Sequence, residues 1–164
     1  MKPLWAPWRM DYILDKDRDQ NACVFCVGDD KGVDAERLIL HRANTGFVVM
    51  NRYPYNNGHL LVAPYRHVAD ISQLSEDEGQ ELFNLVRLCR NVLQMTMRPQ
   101  GMNIGINLGS VAGAGIADHV HWHLVPRWQG DTNFMPVLAD NRVIPQHLEA
   151  TYNTLKEAFS RREE

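Results

Sequence analysis

Three histidines alternate along one short stretch, and they are the strongest chemical signal in the sequence. His119, His121 and His123 occupy positions i, i+2 and i+4, with Val120 and Trp122 between them. Side chains two residues apart on a β-strand point to the same face, about 7 Å from one another. We therefore expect a strand with three imidazoles on one face and its apolar residues turned toward the core.

Two kinds of chemistry suit such an array. Alternating imidazoles on a strand can bind a metal ion such as zinc. Alternatively, a neutral imidazole is a good nucleophile near pH 7, and a protonated imidazole beside it can neutralise a phosphate or protonate a leaving group. Three of the seven histidines of the chain fall within five residues, beside a glycine-rich loop, which argues against a surface strand that carries histidines by chance.

Two of the three cysteines form a Cys-x-x-Cys turn, Cys23 and Cys26. Alone, this turn is compatible with zinc binding, redox chemistry or chance. A redox pair is typical of the start of a helix in a βαβ unit, which this part of the chain lacks. The third cysteine, Cys89, lies on the apolar face of a predicted helix and is expected to be a small buried residue.

The elements that must position these residues are strands followed by helices. The clearest helix begins at the capping box of Ser75 and runs to about Met97, and a second helix is predicted over residues 146–161. Five strands are predicted, at residues 37–40, 47–50, 59–63, 102–106 and 119–125. Because the strands follow one another in adjacent pairs, we expect an α+β fold with an antiparallel sheet, rather than a doubly wound sheet.

Length and composition bound the possible functions. A chain of 164 residues is long enough for one well-buried core, so we expect a single domain. The net charge of −3 predicts no affinity for nucleic acid or an anionic membrane surface. No apolar stretch approaches the ~20 residues of a membrane span. The aromatic and proline-rich start does not resemble a secretion signal, and a cytoplasmic protein is expected.

These features together resemble the histidine-triad (HIT) superfamily. Residues 119–125 match its His-x-His-x-His signature, residues 51–64 resemble its strand with a fourth histidine, and residues 107–110 resemble the loop before the triad. The resemblance implies a five-stranded antiparallel sheet with one long helix, a C-terminal helix and a homodimer. Its matching core is residues 23–133, between an N-terminal extension, 1–22, and a C-terminal extension with the helix, 134–164.

The resemblance also implies roles for the histidines. His121 matches the family nucleophile, which attacks the α-phosphorus of an adenine nucleotide and is transiently nucleotidylated. Its Nδ1 would keep a proton by donating to a backbone carbonyl. His123 would lie beside the oxygens of the reacting phosphate, and His59 and His119 would complete the catalytic cluster.

Nucleotide-binding residues follow from the same resemblance. Asn51 matches a residue that faces the ribose hydroxyls, although it could simply form a turn at the end of a strand. The phosphates would be bound by Asn107 and by the glycine-rich loop over residues 109–115. The loop residues concerned are Gly109, Ser110, Gly113 and Gly115. Alternatively, this loop could be a plain flexible connection. Gly115 and Ile116 stand where family members usually carry Gln, Ser or Thr. The side-chain contact to phosphate is therefore missing, and the identity of the leaving group stays open.

Family members with the Cys-x-x-Cys turn complete a tetrahedral site with two histidines. The matching residues here are Cys23, Cys26, His67 and His119, and this set suits a structural zinc ion. His41 is an alternative to His67.

The expected activity is the hydrolysis or phosphorolysis of dinucleoside polyphosphates. The residues after the triad, 126–134, and the aromatic segment Trp5–Arg9 resemble the branch of the family that processes diadenosine tetraphosphate, although the tryptophans of that segment could merely pack over the core. Two alternatives stay open at this point. One is a nucleoside phosphoramidase that uses the same intermediate, and the other is a nucleotide-binding regulatory module with little turnover.

Overall fold

The computed structural model describes residues 23–131 and 147–161, which form one antiparallel sheet with helices on one face. The strands are β1 (Ile39–Arg42), β2 (Gly46–Met50), β3 (Leu60–Pro64), β4 (Gly101–Ile106) and β5 (Trp122–Arg127). The sheet order is β1-β2-β3-β5-β4, and all neighbours are antiparallel. The helices are α1 (Asp34–Arg37), α2 (Glu76–Thr96) and α3 (Leu148–Ser160). The expected α+β class is confirmed.

The larger core lies between the sheet and the two long helices. Helix α2 begins with the predicted capping box, in which the Ser75 hydroxyl accepts from the Glu78 N–H and the Glu78 carboxylate accepts from the Ser75 N–H. Helix α3 is attached to β1, because the Tyr152 hydroxyl donates to the Ile39 carbonyl. The fully buried members of this core include Val48, Leu60, Val62, Leu82, Cys89, Val92, Leu93, Leu124 and Leu155.

A smaller apolar cluster covers part of the opposite face of the sheet. It contains Phe25, Val27, Ile39, Phe47, Leu61 and Ala63. The alternation predicted for the histidine stretch is present, since Trp122 and Leu124 pack in the larger core while Leu61, which pairs with His123, belongs to the smaller cluster.

Two strands begin two or more residues later than the sequence suggests. Residue Arg37 ends α1, and Leu38 adopts a left-handed conformation with φ 62°, its N–H bonded back to the carbonyl of Ala35. The chain can therefore enter the sheet only at Ile39. The strand predicted over residues 37–40 lies two residues further along the chain, at Ile39–Arg42.

The histidine strand is the second case. It begins at Trp122, so that only His123 of the three histidines lies within β5. The partner strand β3 ends at Pro64, which has no N–H to donate to the ladder. The Val120 N–H instead donates to the carbonyl of Val68, 2.7 Å away. His119 and His121 therefore precede the strand.

Within the two described ranges, no helix combines the length and the apolar character that a bilayer-crossing segment requires. The segment Trp5–Arg9, the rest of the N-terminal extension and residues 132–134 lie outside the described residues.

Candidate active site and metal centre

His121 is buried directly before β5, and one of its ring nitrogens is fixed by the backbone. Its Nδ1 lies 2.8 Å from the carbonyl oxygen of His119. A carbonyl can only accept, so Nδ1 carries the proton and Nε2 carries the lone pair. Burial lowers the pKa of His121, which keeps the imidazole neutral at pH 7. His121 is thus a neutral imidazole whose lone pair is on Nε2, which is the form that can act as a nucleophile.

His59 and His123 form a hydrogen-bonded pair beside it. The Tyr55 N–H donates to His59 Nδ1 at 3.1 Å, so that nitrogen has no proton of its own. The proton of neutral His59 is therefore on Nε2, 3.0 Å from His123 Nδ1, which accepts it. His123 must then carry its proton on Nε2. The ring of His123 lies 4.8 Å from that of His121, centroid to centroid. The pair thus holds a hydrogen-bond donor, His123 Nε2–H, next to His121.

Asn51 supports this pair from the end of β2. Its Oδ1 accepts from the Tyr53 N–H at 2.9 Å, which forms the turn proposed as the alternative role of this residue. Because Oδ1 is turned to Tyr53, Nδ2 faces His59 Nδ1 at 3.1 Å. Asn51 therefore helps to keep His59 Nδ1 an acceptor.

A cavity of about 490 Å³ opens beside His123. It is bordered by strands β4 and β5 and by the turn before β3, and its lining residues are Tyr55, Asn103, Ile104, Gly105, Asn107, His123, Val125 and Arg127. A volume in this range is typical of small-molecule sites. The structure thus places Asn107, expected to reach phosphates, in one cavity with His123.

The glycine-rich loop lies at the surface beyond this cavity. Gly109 and Gly113 have φ of 78° and 91°, and a short 3-10 turn, Ser110–Ala112, runs between them. The N–H groups of Ala112, Gly113 and Ala114 donate to carbonyls within the loop. The predicted phosphate contacts of Gly109, Ser110, Gly113 and Gly115 stay a prediction.

A second cluster brings together all four residues expected to bind zinc. Cys23 Sγ lies 3.4 Å from His119 Nδ1, and Cys26 Sγ lies 3.4 Å from His67 Nδ1. All four ligand atoms lie within 4.8 Å of one another. Zinc at about 2.3 Å from sulfur and about 2.05 Å from nitrogen would hold such neighbours about 3.6 Å apart in a tetrahedron. The residues therefore fit zinc in both donor type and spacing.

The backbone also sets the ligand atom of His119. Its Nε2 donates to the Pro64 carbonyl at 2.9 Å, which leaves the lone pair on Nδ1, turned to Cys23. The alternative ligand, His41, instead stacks on Phe159 of α3, with ring centroids 5.9 Å apart. The geometry favours His67.

Two residues beside the histidines belong to no catalytic motif, and sequence reasoning missed both of them. The Phe25 ring, between the two cysteines, lies 4.6 Å from the His121 ring and 5.3 Å from the His119 ring. Arg127 borders the cavity. A signal for Arg127 existed in its position, four residues after His123, which puts both on the same face of a strand.

Comparisons with known proteins agree with this arrangement. A family model described as "HIT domain" matches residues 34–130. A Mycobacterium tuberculosis (strain H37Rv) protein named "AP-4-A phosphorylase" is 37% identical over 167 residues, which cover 98% of this chain and 86% of that protein. A Schizosaccharomyces pombe protein named asymmetrical bis(5'-nucleosyl)-tetraphosphatase is 29% identical over 121 residues, 74% of this chain and 63% of that one.

A solved structure has a similar fold. It is that of a zinc-bound histidine triad family protein from Mycobacterium smegmatis, 20% identical, with a TM-score of 0.65. The match covers 87% of this chain and 96% of the other.

Proposed function

This chain belongs to the histidine-triad (HIT) family, and from that membership we propose that it is an enzyme that cleaves dinucleoside polyphosphates at an α-phosphate. The relatives named for the phosphorolysis and hydrolysis of such compounds support the substrate class. The observation that carries the chemistry is the 2.8 Å hydrogen bond from His121 Nδ1 to the carbonyl of His119, because it leaves Nε2 as a nucleophile.

In the first step, His121 Nε2 bonds to the α-phosphorus as the bond from that phosphorus to the bridging oxygen breaks. A negative charge develops on the departing oxygen. The Nε2–H of His123 donates a hydrogen bond to that oxygen and stabilises its charge, and the His59 hydrogen bond to Nδ1 keeps the hydrogen on Nε2. For diadenosine tetraphosphate the leaving group is a nucleoside triphosphate, and the adenylyl group stays on His121.

In the second step, an acceptor oxygen attacks the same phosphorus and the P–N bond breaks. Water as acceptor releases a nucleoside monophosphate, and inorganic phosphate releases a nucleoside diphosphate. The relative that matches nearly the whole chain is named a phosphorylase. We propose phosphate as the preferred acceptor.

The Cys/His cluster is proposed to bind one structural zinc ion through Cys23, Cys26, His67 and His119. With four protein ligands, no position is open for a reacting water, so the ion would supply folding energy rather than chemistry. The zinc-bound relative from M. smegmatis supports this choice of metal. We accordingly assign His119 to the metal and to the carbonyl contact with His121, not to proton transfer.

We also propose a homodimer that forms through the outer edge of β4. Among the described residues this strand is the last of the sheet, so one side of it presents unpaired N–H and C=O groups. Four of its six residues are exposed, including the apolar Ile104, 47% exposed. A second copy would pair the edge and cover Ile104.

The nucleophile is tested by trapping the intermediate. With diadenosine tetraphosphate labelled at the α-phosphorus, acid-labile but base-stable label should appear on the wild-type chain and be absent from His121→Ala. His121→Gly should regain part of the turnover with added imidazole, which can occupy the vacated space. Rapid-quench trapping followed by peptide mapping measures the label.

Product analysis checks the acceptor in the same assay. With inorganic phosphate the expected products are ADP and ATP, and without it AMP and ATP at a lower rate. Label trapped on another residue of His121→Ala, with turnover retained, would contradict the proposed mechanism.

A further inference from the structure

We propose that the groove between β4 and β5 binds the leaving nucleoside triphosphate, and that Arg127 is the residue that recognises its distal phosphates. The inference rests on the proposed function, since it concerns the leaving group of that reaction. It assigns a role to residues that the chemical steps do not use.

The groove follows one face of two paired strands. On β5, His123, Val125 and Arg127 share a face, because side chains alternate along a strand. They pair across to Gly105, Asn103 and Gly101 of β4, in that order. A Cβ placed on Gly105 would meet no heavy atom within 4 Å, so the space opposite His123 is open. The groove therefore has the imidazole of His123 at one end and the guanidinium of Arg127 at the other.

The direction of the groove matches the departure of the leaving group. In an in-line displacement, the nucleophile and the leaving oxygen lie on opposite sides of phosphorus. His121 provides the nucleophile, and His123 lies next along the chain, at the leaving oxygen. The lining residues then continue from His123 through Val125 to Arg127, away from His121. The remaining phosphates must extend into this space.

Arg127 is held in place for such a contact. Its Nε and Nη2 donate to the Asp131 carboxylate at 2.6 and 2.8 Å, and this hydrogen bonding raises the pKa of the guanidinium. Its Nη1 donates to Asn103 Oδ1 at 2.8 Å. Because Oδ1 is committed to Arg127, the Nδ2 group of Asn103 presents N–H donors at the exposed side of β4. A fixed guanidinium and an oriented amide form a phosphate-binding pair.

The test compares two substrates that share the adenylyl group and differ in the leaving group. One is diadenosine tetraphosphate, and the other is the p-nitrophenyl ester of AMP, whose leaving group is too short to reach Arg127. In Arg127→Gln, kcat/KM for the tetraphosphate should fall about tenfold or more, as expected for a lost charge-assisted hydrogen bond. The fall for the aryl ester should be several-fold smaller.

Two further variants separate recognition from a structural effect. Asn103→Ala leaves the Arg127–Asp131 ion pair intact and should show the same substrate dependence in weaker form. Arg161→Gln is a matched control, because Arg161 and Glu157 form an ion pair with the same i,i+4 spacing on the far helix α3. It should affect both substrates equally and slightly.

Equal losses for both substrates in Arg127→Gln, or no loss for the tetraphosphate, would overturn the subsite. If the wild-type chain cleaves neither substrate, the proposed function fails, and the subsite is then read from calorimetric binding of inorganic tripolyphosphate. If tripolyphosphate binds more weakly to Arg127→Gln than to Arg161→Gln, the proposed subsite is supported. Equal binding to the two variants would refute it.

Discussion

At the scale of single residues, backbone groups determine which nitrogen carries the proton in three of the histidines. Carbonyl oxygens accept from His121 Nδ1 and His119 Nε2, and a backbone N–H donates to His59 Nδ1. The donor or acceptor character of a backbone group never changes, so these three contacts specify three tautomers. The outcome is one imidazole that can bind a metal, one that can attack phosphorus and one that directs the proton of its neighbour, His123.

Asn51 allows a prediction at this scale. Since its Oδ1 contacts Tyr53 and its Nδ2 contacts His59, we expect the second N–H of the Asn51 amide to donate to a ribose hydroxyl. Asn51→Ala should weaken binding of adenine ribonucleotides more than that of the 2',3'-dideoxy analogues, by the value of one hydrogen bond, about 0.5–1.5 kcal/mol. Calorimetric titration of both ligands measures the difference.

Asn51→Ala should also slow turnover of a substrate that lacks the ribose hydroxyls, because His59 Nδ1 loses the N–H that Asn51 donates to it. If ribonucleotide and dideoxynucleotide lose affinity equally, Asn51 serves only the turn and His59. Thermal unfolding of the variant serves as the control for a general loss of structure.

At the scale of elements, we assign two proposed roles to the outer strand β4, one at the cavity and one at its free edge. Asn103 and Gly105 pair with Val125 and His123 and border the cavity, whereas Ile104 pairs with the buried Leu124 and also lies at the cavity margin. Exposed edges of this kind are usually protected by charges or by pairing. This strand carries no charged residue.

Ile104→Glu is expected to dissociate the proposed dimer. In a two-fold pairing of β4 with its copy, the two introduced carboxylates would lie close together and repel one another. Sedimentation equilibrium should give a two-chain mass for the wild type and a one-chain mass for the variant.

Phe83→Glu is the matched control, since Phe83 is a similarly exposed apolar residue, 57% exposed, on α2. It should remain dimeric. A wild-type chain that sediments as a monomer, or a dimer that only Phe83→Glu disrupts, would exclude the β4 interface.

At the scale of the whole molecule, His119 connects the Cys/His cluster with the catalytic histidines that we propose. His119 turns its ring to the cysteines while its carbonyl holds His121. Phe25, located between the two cysteines, packs against the His121 ring. The Cys-x-x-Cys turn therefore lies against the sheet at the point where it also contacts His121, the proposed nucleophile.

Removal of one thiol should consequently affect metal content, stability and activity together. The wild-type chain should contain about one zinc per chain, and Cys26→Ser should lose zinc, melt at a lower temperature and turn over more slowly, since metal binding is coupled to folding. Elemental analysis, thermal unfolding and the phosphorolysis assay provide the three measurements.

Cys89→Ala is the control, because Cys89 belongs to the buried side of helix α2, in the larger core on the other face of the sheet. It should lose some stability and keep its zinc. The proposed zinc site would be contradicted if the wild-type chain contained no metal and Cys26→Ser had unchanged stability.

The sequence alone determined the features that depend on local pattern. The capping box at Ser75 and the apolar stripes of the two long helices have 3.6-residue periodicity, and α2 and α3 lie where these patterns indicate. The five-stranded antiparallel sheet was expected from the family resemblance of the His-x-His-x-His stretch, whereas the strand order came from the structure. The residues Cys23, Cys26, His67 and His119 were likewise found from spacing and resemblance, and the structure brings them together.

Only the tertiary structure decided the contacts between residues far apart in the chain. The strand boundary at Trp122 depends on the end of β3 at Pro64, and the tautomer of His59 depends on an N–H from the turn at Tyr55. Arg127 became part of the site through the neighbouring strand β4 and the cavity that both strands border. Periodicity predicts which face a side chain takes, whereas its partners are set by the packing of other segments against that face.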